Sequence, residues 1–574
     1  MRPEAIDAPP AERTPMNIGL ISINMYTKGL NYACPVHTFA FQQFLLSHGI
    51  ENTVIDYKPN YYGNFESRYP GAYYEKLAER QEKLLKEADA ETRPFHEEKL
   101  KKFRSKAAGY NALAQERARR YDKFWEFINE HYVKTDTEYD SDTLEVVDPG
   151  FDCYMCVTDV IWKYQDVEGF DRGYFLASSA MENKWKIAYA ASRGVPKPFT
   201  EEQSELFFHY LEDIDIISVR EKSLQKYIES HSDHKAPMVM DPVLLNDRSV
   251  YEKVTVTPDE GDYILLYYAE EQSKNAMEKA VELARKTNLP IVETTNLPIA
   301  GGMLKDRTDV EHAFRYDIGP AEWLGYIQHA RHVVTNSFHA ACFSIIFEKD
   351  FFIGSRNGDK IANLLRSVGL SQRDLSNPNA HDNPIDYVEV KRVLKEQTDA
   401  SAAFILDVIK SLEGSVKEPH DYAAFKKSLR YPLAYNSSAK NPAITSSYPE
   451  NEGATKALPS GSLEFTPHNE LVTNDGKSHF GPNRFHFPGH YFVGWQLRIK
   501  IDNHWFWYMA DGSLAARKGF DKERIGDRKV FGETDIIPFI PVNHIAYAVA
   551  EATWKVPLHV RIQKKIRSLL KGRA

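Results

Sequence analysis

A histidine lies at the point where a buried strand gives way to a helix, in the run 336–344 (NSFHAACFS). Val333 and Val334 before this run are typical of the end of a buried strand, and the dense apolar residues of 340–347 indicate a short buried helix. The free N–H groups and the positive end of the macrodipole at a helix N-terminus favour phosphate and carboxylate groups. A histidine there can move protons near neutral pH. The run therefore predicts acid–base chemistry at an anion site. The alternative is that His339 is a packed or capping residue.

Other motifs resemble those of the polysaccharide pyruvyl transferase family, in the same order along the chain. They are Asn31-Tyr32, 188–192 (AYAAS), 218–221 (SVRE), 241–245 (DPVLL), the block 319–335 (GPAEWLGYIQHARHVVT) and the run 336–344. The resemblance covers roughly residues 16–427. It implies a transferase that moves the enolpyruvyl carbon of phosphoenolpyruvate onto two hydroxyls of one sugar and releases phosphate. We expect no cofactor.

The resemblance also implies roles for individual residues. His339 is expected to act as the acid or base, and Arg220, at the end of a predicted strand, is expected to hold an anionic group through two parallel hydrogen bonds. The alternative for Arg220 is a structural ion pair with a neighbouring acid such as Glu221. The other expected donor-binding residues are Asn31, Ser337, Phe338, Ala340 and Lys360, the last of which stands where the family usually has an arginine. The expected acceptor-binding residues are Asp159 and Trp162.

Two short motifs are compatible with metal ligands, but neither predicts a metal site. Cys153 and Cys156 have a C-x-x-C spacing, yet they lie in an apolar run where residues three apart project to opposite faces of a strand. The segment 213–215 (DID) resembles the D-x-D of metal-dependent glycosyltransferases, but it begins a predicted strand instead of ending one at a cleft. We therefore predict no metal.

Composition excludes several classes of protein. The chain has 574 residues, of which 42% are hydrophobic and 27% charged, enough to bury two or three cores. Its net charge of −9 argues against a nucleic-acid partner, which would require a basic face. Four cysteines are too few for a disulfide scaffold, so we expect a reducing compartment. The sequence has no apolar run of membrane-spanning length and no signal-peptide core, so we expect a cytoplasmic protein.

Alternating strands and helices predict an α/β fold with parallel sheets. The predicted strands are 18–23, 53–56, 153–157, 187–191, 214–219, 238–240, 263–268, 290–293, 333–335 and 351–353. We expect two lobes, 16–245 and 246–430. A charged stretch, 73–132, predicts two long helices inserted in the first lobe with a solvated surface. The family resemblance implies a GT-B-like pair of Rossmann-type lobes with the active site in the cleft between them.

The remaining segments differ in composition from the lobes. Residues 1–15 are predicted to be a disordered extension, 431–461 a linker and 462–556 a small β-rich accessory domain. Within that domain, alternation over 491–501 and 505–509 predicts a hairpin. Its aromatic residues either form the core of the domain or stack on sugar rings.

The tail 557–574 combines a basic face with an apolar stripe. Its cations are Arg561, Lys564, Lys565, Arg567, Lys571 and Arg573, and its apolar residues Ile562, Ile566, Leu569 and Leu570 fall on one helical face. Such a helix binds an anionic membrane surface, so we expect peripheral attachment at the inner face of the cell membrane. The alternative is a frayed or packed terminus.

The sequence thus predicts a phosphoenolpyruvate-dependent pyruvyltransferase that acts on a lipid-linked or polymeric glycan in exopolysaccharide or capsule biosynthesis. Two alternatives remain. One is a GT-B glycosyltransferase with a nucleotide-sugar donor, in which the helix at His339 would hold a diphosphate. The other is a non-catalytic carbohydrate-binding protein that uses the β-rich domain.

Overall fold

The computed structural model of the chain describes residues 16–420 apart from 25, 60–64, 89–92, 141–142, 165–169, 195–197, 200 and 357, and beyond residue 420 only the backbone of seven short strands. The predicted extension 1–15, the linker 431–461 and the tail 557–574 with its six cations lie outside the described residues. The division into domains therefore stays a prediction.

The first lobe is built on a six-stranded sheet. Its strands are β1 Ile18–Ser22, β2 Asn52–Tyr57, β3 Lys134–Tyr139, β4 Cys153–Val157, β5 Trp185–Ala191 and β6 Ile216–Val219. Every neighbouring pair is parallel, and the order is β3-β2-β1-β4-β5-β6, which is the Rossmann order. Its helices are α1 Ala33–Ser47, α5 Thr143–Val146, α6 Glu201–Glu212 and α7 Lys222–His231.

The second lobe repeats the same arrangement with five strands. They are β7 Ile264–Tyr268, β8 Ile291–Thr295, β9 His312–Phe314, β10 His332–Thr335 and β11 Asp350–Ile353, and all neighbours are parallel in the order β11-β10-β7-β8-β9. Its helices are α8 Arg248–Glu252, α9 Lys274–Thr287, α10 Pro320–His329, α11 Phe338–Ile346 and α12 Lys360–Ser367. The predicted α/β fold with a GT-B-like pair of Rossmann-type lobes is confirmed.

A long final helix, α13 Tyr387–Leu412, joins the cores of both lobes. Val390 near its start packs in the core of the second lobe. Ile405 and Ile409, four residues apart and so on one face, pack in the core of the first lobe with Ile18. The helix therefore fixes one lobe against the other.

The strand predictions failed in two ways. Residues 238–240 form only a single bridge, between Met238 and Val219, because Pro237 and Pro242 limit the backbone on both sides. The edge strands β3 and β9 were not predicted, because β3 is largely polar and partly exposed, and β9 is only three residues long and not fully buried.

The charged insertion contains three helices, not the two predicted: α2 Gly71–Glu87, α3 Arg93–Ala112 and α4 Ala114–His131. The break between α3 and α4 falls at the single residue Leu113, where neither proline nor glycine marks it in the sequence.

The insertion also packs against both lobes, although a solvated surface was predicted. Arg120 is fully buried and donates to Leu30 O of the first lobe at 2.7 Å and to Thr295 O of the second at 2.8 Å. Arg117 is equally buried and donates to Gly29 O. These bonds hold the loop that follows β1.

Beyond residue 420 the described backbone forms antiparallel strands. They are β12 Leu463–Phe465, β13 Leu471–Thr473, β14 Ser478–Phe480, β15 Gln496–Ile501, β16 His504–Met509, β17 Ile536–Phe539 and β18 Ala546–Val549. The β15–β16 pair is the predicted hairpin. No helix in the described part of the chain is both long and apolar enough to cross a membrane.

Candidate functional site

The carboxyl ends of both sheets open into one cleft of about 690 Å³. In a doubly wound sheet the ligand crevice lies where the strand order reverses, which is between β1 and β4 in the first lobe and between β7 and β10 in the second. The cleft is lined from all four of these strand ends: Asn31 follows β1, Asp159 follows β4, Glu270 follows β7 and His339 follows β10. The fold therefore brings both crevices to the same place.

A buried ion network lies at the floor of this cleft. Arg220 follows β6, and its Nη1 donates to Asp241 Oδ2 at 2.6 Å while its Nη2 donates to Asp159 Oδ1 at 3.1 Å. Thr158 Oγ1 donates to the same Asp241 oxygen at 2.9 Å. Burial raises the pKa of both carboxyls, but the neighbouring cationic groups outweigh it and hold both values well below the ordinary range. The two carboxylates in turn raise the pKa of Arg220 against the effect of burial. All three groups stay charged.

The loop after β4 holds a strained backbone in place. Thr158 and Asp159 have φ values of 45° and 56°, a region that a β-branched residue such as threonine rarely adopts. Thr158 N donates to Tyr189 O at 2.8 Å, and its side chain is tied to Asp241. Strain of this kind persists only where surrounding contacts over-determine it. Here those contacts aim the Asp159 carboxylate at Arg220.

His339 occupies the first turn of α11, as predicted. Ser337 caps this helix by accepting from Ala340 N at 3.4 Å. The imidazole is 5% exposed and its Nε2 lies 3.5 Å from Asp241 Oδ2, which is long for a hydrogen bond. The ring of the adjacent Phe338 covers the Arg220 guanidinium at 4.7 Å. The first-turn amides have no acceptor within the helix, so an anion in the cleft would meet them beside the imidazole.

A second histidine lies beneath the first. The ring of His37, on α1, stacks on that of His339 with centroids 5.3 Å apart and planes 28° apart. His37 Nδ1 lies 3.5 Å from Ser22 Oγ and 3.4 Å from Thr38 Oγ1, two hydroxyl groups that hold the ring in place. Complete burial, with the neighbouring His339, lowers the pKa of His37 to about 3. His37 is therefore a neutral ring that orients His339.

His37 should make the protein lose stability on mild acidification. Its native pKa lies below the unfolded value of 6.5, so below pH 6.5 the unfolded chain binds a proton that the native state does not. At pH 4.5 this proton uptake lowers the free energy of unfolding by about 2–3 kcal/mol, at about 1.4 kcal/mol per pH unit. We expect the melting temperature of His37→Gln to fall less between pH 7.5 and 4.5 than that of the wild type. His48→Gln, at an exposed position, controls for the loss of one imidazole. If the melting temperatures of all three proteins fall by the same amount between pH 7.5 and 4.5, His37 is not a buried neutral ring.

The charge balance of the cleft favours anions. Five basic side chains line it, namely Lys163, Arg193, Arg220, Arg356 and Lys360, against the acids Asp159 and Glu270. Arg356 pairs with Glu270 at 2.6 Å, and Arg220 with Asp159. Lys163, Arg193 and Lys360 have no carboxylate within ion-pair distance among the described residues. Three cations are therefore left to meet a ligand.

The structure brings most of the predicted site residues together. Asn31, Asp159, Arg220, Ser337, Phe338, His339 and Lys360 all line the cleft.

Two predicted residues lie elsewhere. Trp162 is fully buried in the core of the first lobe, where it stacks on Phe175 and donates to Tyr174 O at 3.1 Å. It is not placed to contact an acceptor. The methyl group of Ala340 is also fully buried, in the core of the second lobe, because α11 turns this position away from the cleft.

Sequence reasoning missed Asp241, Arg193 and His37, and also the charged residues Lys163, Glu270 and Arg356 that line the cleft. Asp241 stands in the quoted motif 241–245, where a capping residue before a proline already marks a fixed turn. Arg193 follows strand β5 in the same way that Arg220 follows strand β6. Since both strands were predicted, this similarity in position could have identified Arg193. His37 gave no signal, because its partner His339 lies far away in the sequence.

One cluster in the described residues has the ligand types of a metal site. Cys34 Sγ, His37 Nε2 and an Asp159 oxygen lie within 4.8 Å of one another. Burial raises the pKa of the Cys34 thiol, which keeps it in the form that does not bind metals. Arg220 on the other oxygen of Asp159 adds an opposing positive charge. We assign no metal to this cluster.

The residues of the two motifs for which we predicted no metal, 213–215 and Cys153/Cys156, have structural contacts. Asp213 pairs with Lys186, and Asp215 with Lys417 at 2.7 Å. Cys153 and Cys156 are free thiols buried in the cores on opposite faces of the first sheet.

Comparison with known proteins agrees with the motifs. A profile of the polysaccharide pyruvyl transferase family matches residues 37–354, more than half of the chain. No curated protein matches the sequence of this chain. Similar solved structures include the UDP-GlcNAc 2-epimerase of Methanocaldococcus jannaschii in complex with UDP-GlcNAc and UDP (11% identity, TM-score 0.32), MurG of Acinetobacter baumannii (9%, 0.29) and the glycosyltransferase SnogD from Streptomyces nogalater (10%, 0.32). Each alignment covers 69% of this chain and 100% of the other.

Proposed function

Because the chain belongs to the polysaccharide pyruvyl transferase family, and is thus a polysaccharide-modifying transferase, we propose that its donor is phosphoenolpyruvate and that it forms a pyruvyl ketal on a glycan. The observation that carries the donor assignment is the convergence of Arg220, Lys360 and the N-terminus of α11 around His339. Phosphoenolpyruvate has two anionic groups, a phosphate and a carboxylate. The ammonium of Lys360 and the helix N-terminus are suited to hold them, and Arg220, whose Nη1 and Nη2 already bind Asp241 and Asp159, adds a positive charge beside them.

Ketal formation moves two protons. Carbon 3 of the donor gains a proton and becomes a methyl group, the first sugar hydroxyl bonds to carbon 2 and loses its proton, and the bond from carbon 2 to the phosphate oxygen breaks. The second hydroxyl then bonds to carbon 2, and its proton leaves with the phosphate. His339 is the described side chain best placed to carry these protons, since it faces the cleft and its Nε2 lies near the charged Asp241.

The acceptor and the location follow from the same proposal. We propose a lipid-linked or polymeric glycan of exopolysaccharide or capsule biosynthesis, modified in the cytoplasm at the inner face of the cell membrane. The basic tail 557–574 supports this through its sequence. Deleting the tail should reduce sedimentation with anionic liposomes, and unchanged sedimentation would remove the membrane from the proposal.

A donor-binding experiment tests the function. A ligand that binds only the native state raises its stability, so phosphoenolpyruvate should raise the melting temperature of the purified protein and UDP-sugars should not. With a glycan mixture added, phosphate release should depend on both the donor and the glycan. Stabilisation by a UDP-sugar in place of phosphoenolpyruvate would favour a glycosyltransferase. Glycan binding without turnover of either donor would favour a carbohydrate-binding protein.

A further inference from the structure

An arginine that the proposed donor chemistry leaves unused projects into the cleft. Arg193 follows β5, next to β6, the strand that precedes Arg220. Its guanidinium lies against two aromatic rings, 4.8 Å from the centre of Phe199 and 4.7 Å from that of Tyr227, and these rings meet each other edge to face at 5.8 Å. Both are cation–π contacts that restrict the side chain. The side chain is thus held in one orientation before any ligand arrives.

Two nitrogens of the guanidinium lack an acceptor among the described residues. Its Nε and Nη1 are shielded from solvent and have no hydrogen-bond partner within the described part of the chain. Arg120, by contrast, donates to Leu30 O and Thr295 O. A buried donor without a partner is costly, and a cationic one more so. Burial accordingly lowers the pKa of Arg193. An arginine in this state favours an anion as its missing acceptor.

The nearest acid does not satisfy it. Glu221 Oε1 accepts from Ser192 Oγ at 2.8 Å and from the backbone N–H of Arg193 at 3.2 Å. This carboxylate therefore secures the loop after β5, while the guanidinium extends past it to the wall of the cleft.

Arg193 lies beside Arg220, whose backbone N–H donates to Ala191 O at 3.1 Å, but its side chain contacts a different set of residues. Arg220 contacts Phe338, beside His339 at the start of α11, and Lys360 begins α12 of the second lobe. Arg193 instead contacts aromatic residues of the first lobe, and the cleft wall supplied by that lobe includes Lys163, Tyr164 and Gln203. Aromatic faces, an amide and cations are the groups that bind an acidic sugar.

We propose that Arg193 binds an anionic group carried by the acceptor, either the phosphate or diphosphate of a lipid-linked sugar or the carboxylate of a uronic acid. This inference rests on the proposed function, since it takes the anions of phosphoenolpyruvate to be held by Arg220 and Lys360. An acceptor with such a group would meet the positive charge of Arg193 at the wall of the cleft and accept a charge-assisted hydrogen bond from its guanidinium.

Calorimetric titration of the full chain tests the proposal. The probes are inorganic pyrophosphate and methyl glucuronide, each titrated with and without saturating phosphoenolpyruvate, and phosphoenolpyruvate alone. We expect Arg193→Gln to weaken the binding of one of the two acceptor probes about 10-fold or more and to change the affinity for phosphoenolpyruvate less than about 2-fold. The probe that responds identifies the anion. Arg193→Lys should restore only part of the affinity, because an ammonium keeps the charge but not the fork. Arg392→Gln, which removes one exposed arginine from α13, controls for the change in net charge.

The other outcomes overturn the proposal or the donor assignment on which it rests. If phosphoenolpyruvate binding falls with that of the probes, Arg193 belongs to the donor site. If both probes bind Arg193→Gln as tightly as they bind the wild type, Arg193 only packs against its two rings. The same conclusion follows if the probes do not bind to the wild type at all. If the wild type binds a probe through Arg193 but does not bind phosphoenolpyruvate, the proposed donor fails while the anion site stands.

Discussion

Replacing His339 with alanine is expected to lower turnover about 10²-fold or more without unfolding the protein, since loss of a general acid–base group has that size. His339 is the imidazole at the cleft wall, held between the ring of His37 below and Asp241 at 3.5 Å. Alanine is a good helix former, and Ser337 still caps α11. The measurement is the rate of glycan-dependent phosphate release at saturating donor, together with the melting temperature.

The matched control is His329→Ala, an exposed histidine at the end of α10. It should keep the wild-type rate. A near-normal rate for His339→Ala would remove this residue from the mechanism and leave it as a packing partner of His37. A low rate accompanied by a collapsed melting transition would instead show a structural role.

Replacing Arg220 with lysine is expected to weaken phosphoenolpyruvate binding about 10-fold or more, because one ammonium cannot pair with both Asp241 and Asp159, and the carboxylate left unpaired would repel the donor anion. Nη1 and Nη2 of Arg220 already hold Asp241 and Asp159, while Nε has no partner among the described residues. A single ammonium cannot serve both carboxylates and a donor anion. Calorimetric titration of phosphoenolpyruvate measures the loss.

Arg220→Met separates the binding role from the structural one. It removes the charge and leaves Asp241 and Asp159 buried as like charges, which should cost about 3–5 kcal/mol in the free energy of unfolding. Urea denaturation measures this loss. Arg392→Lys, at an exposed position on α13, is the control for both measurements. If both Arg220 variants lower stability but bind the donor as tightly as the wild type, Arg220 is a structural ion-pair residue alone.

Local patterns in the sequence determined most of the fold. Strand β4 was predicted with its observed bounds, and the strand-to-helix transition at 336–344 was predicted from the apolar residues on either side of it. Such features depend on hydrogen bonds and apolar periodicity within a few residues, which a sequence displays directly. The alternation of strands and helices likewise required parallel sheets, whose carboxyl ends meet at one edge. That is why seven of the predicted site residues share the cleft.

Only the tertiary structure decided which side chains meet in that cleft and in what state. His37 stacks on His339 across the two lobes, and Asp241 joins Arg220 within the first lobe, 21 residues away. No local pattern records such contacts, because they arise when distant segments pack against each other. Packing also buried Trp162, which the family resemblance had assigned to the acceptor. It also left two nitrogens of Arg193 without an acceptor among the described residues, since burial and hydrogen-bond partners are properties of the packed molecule and not of residue order.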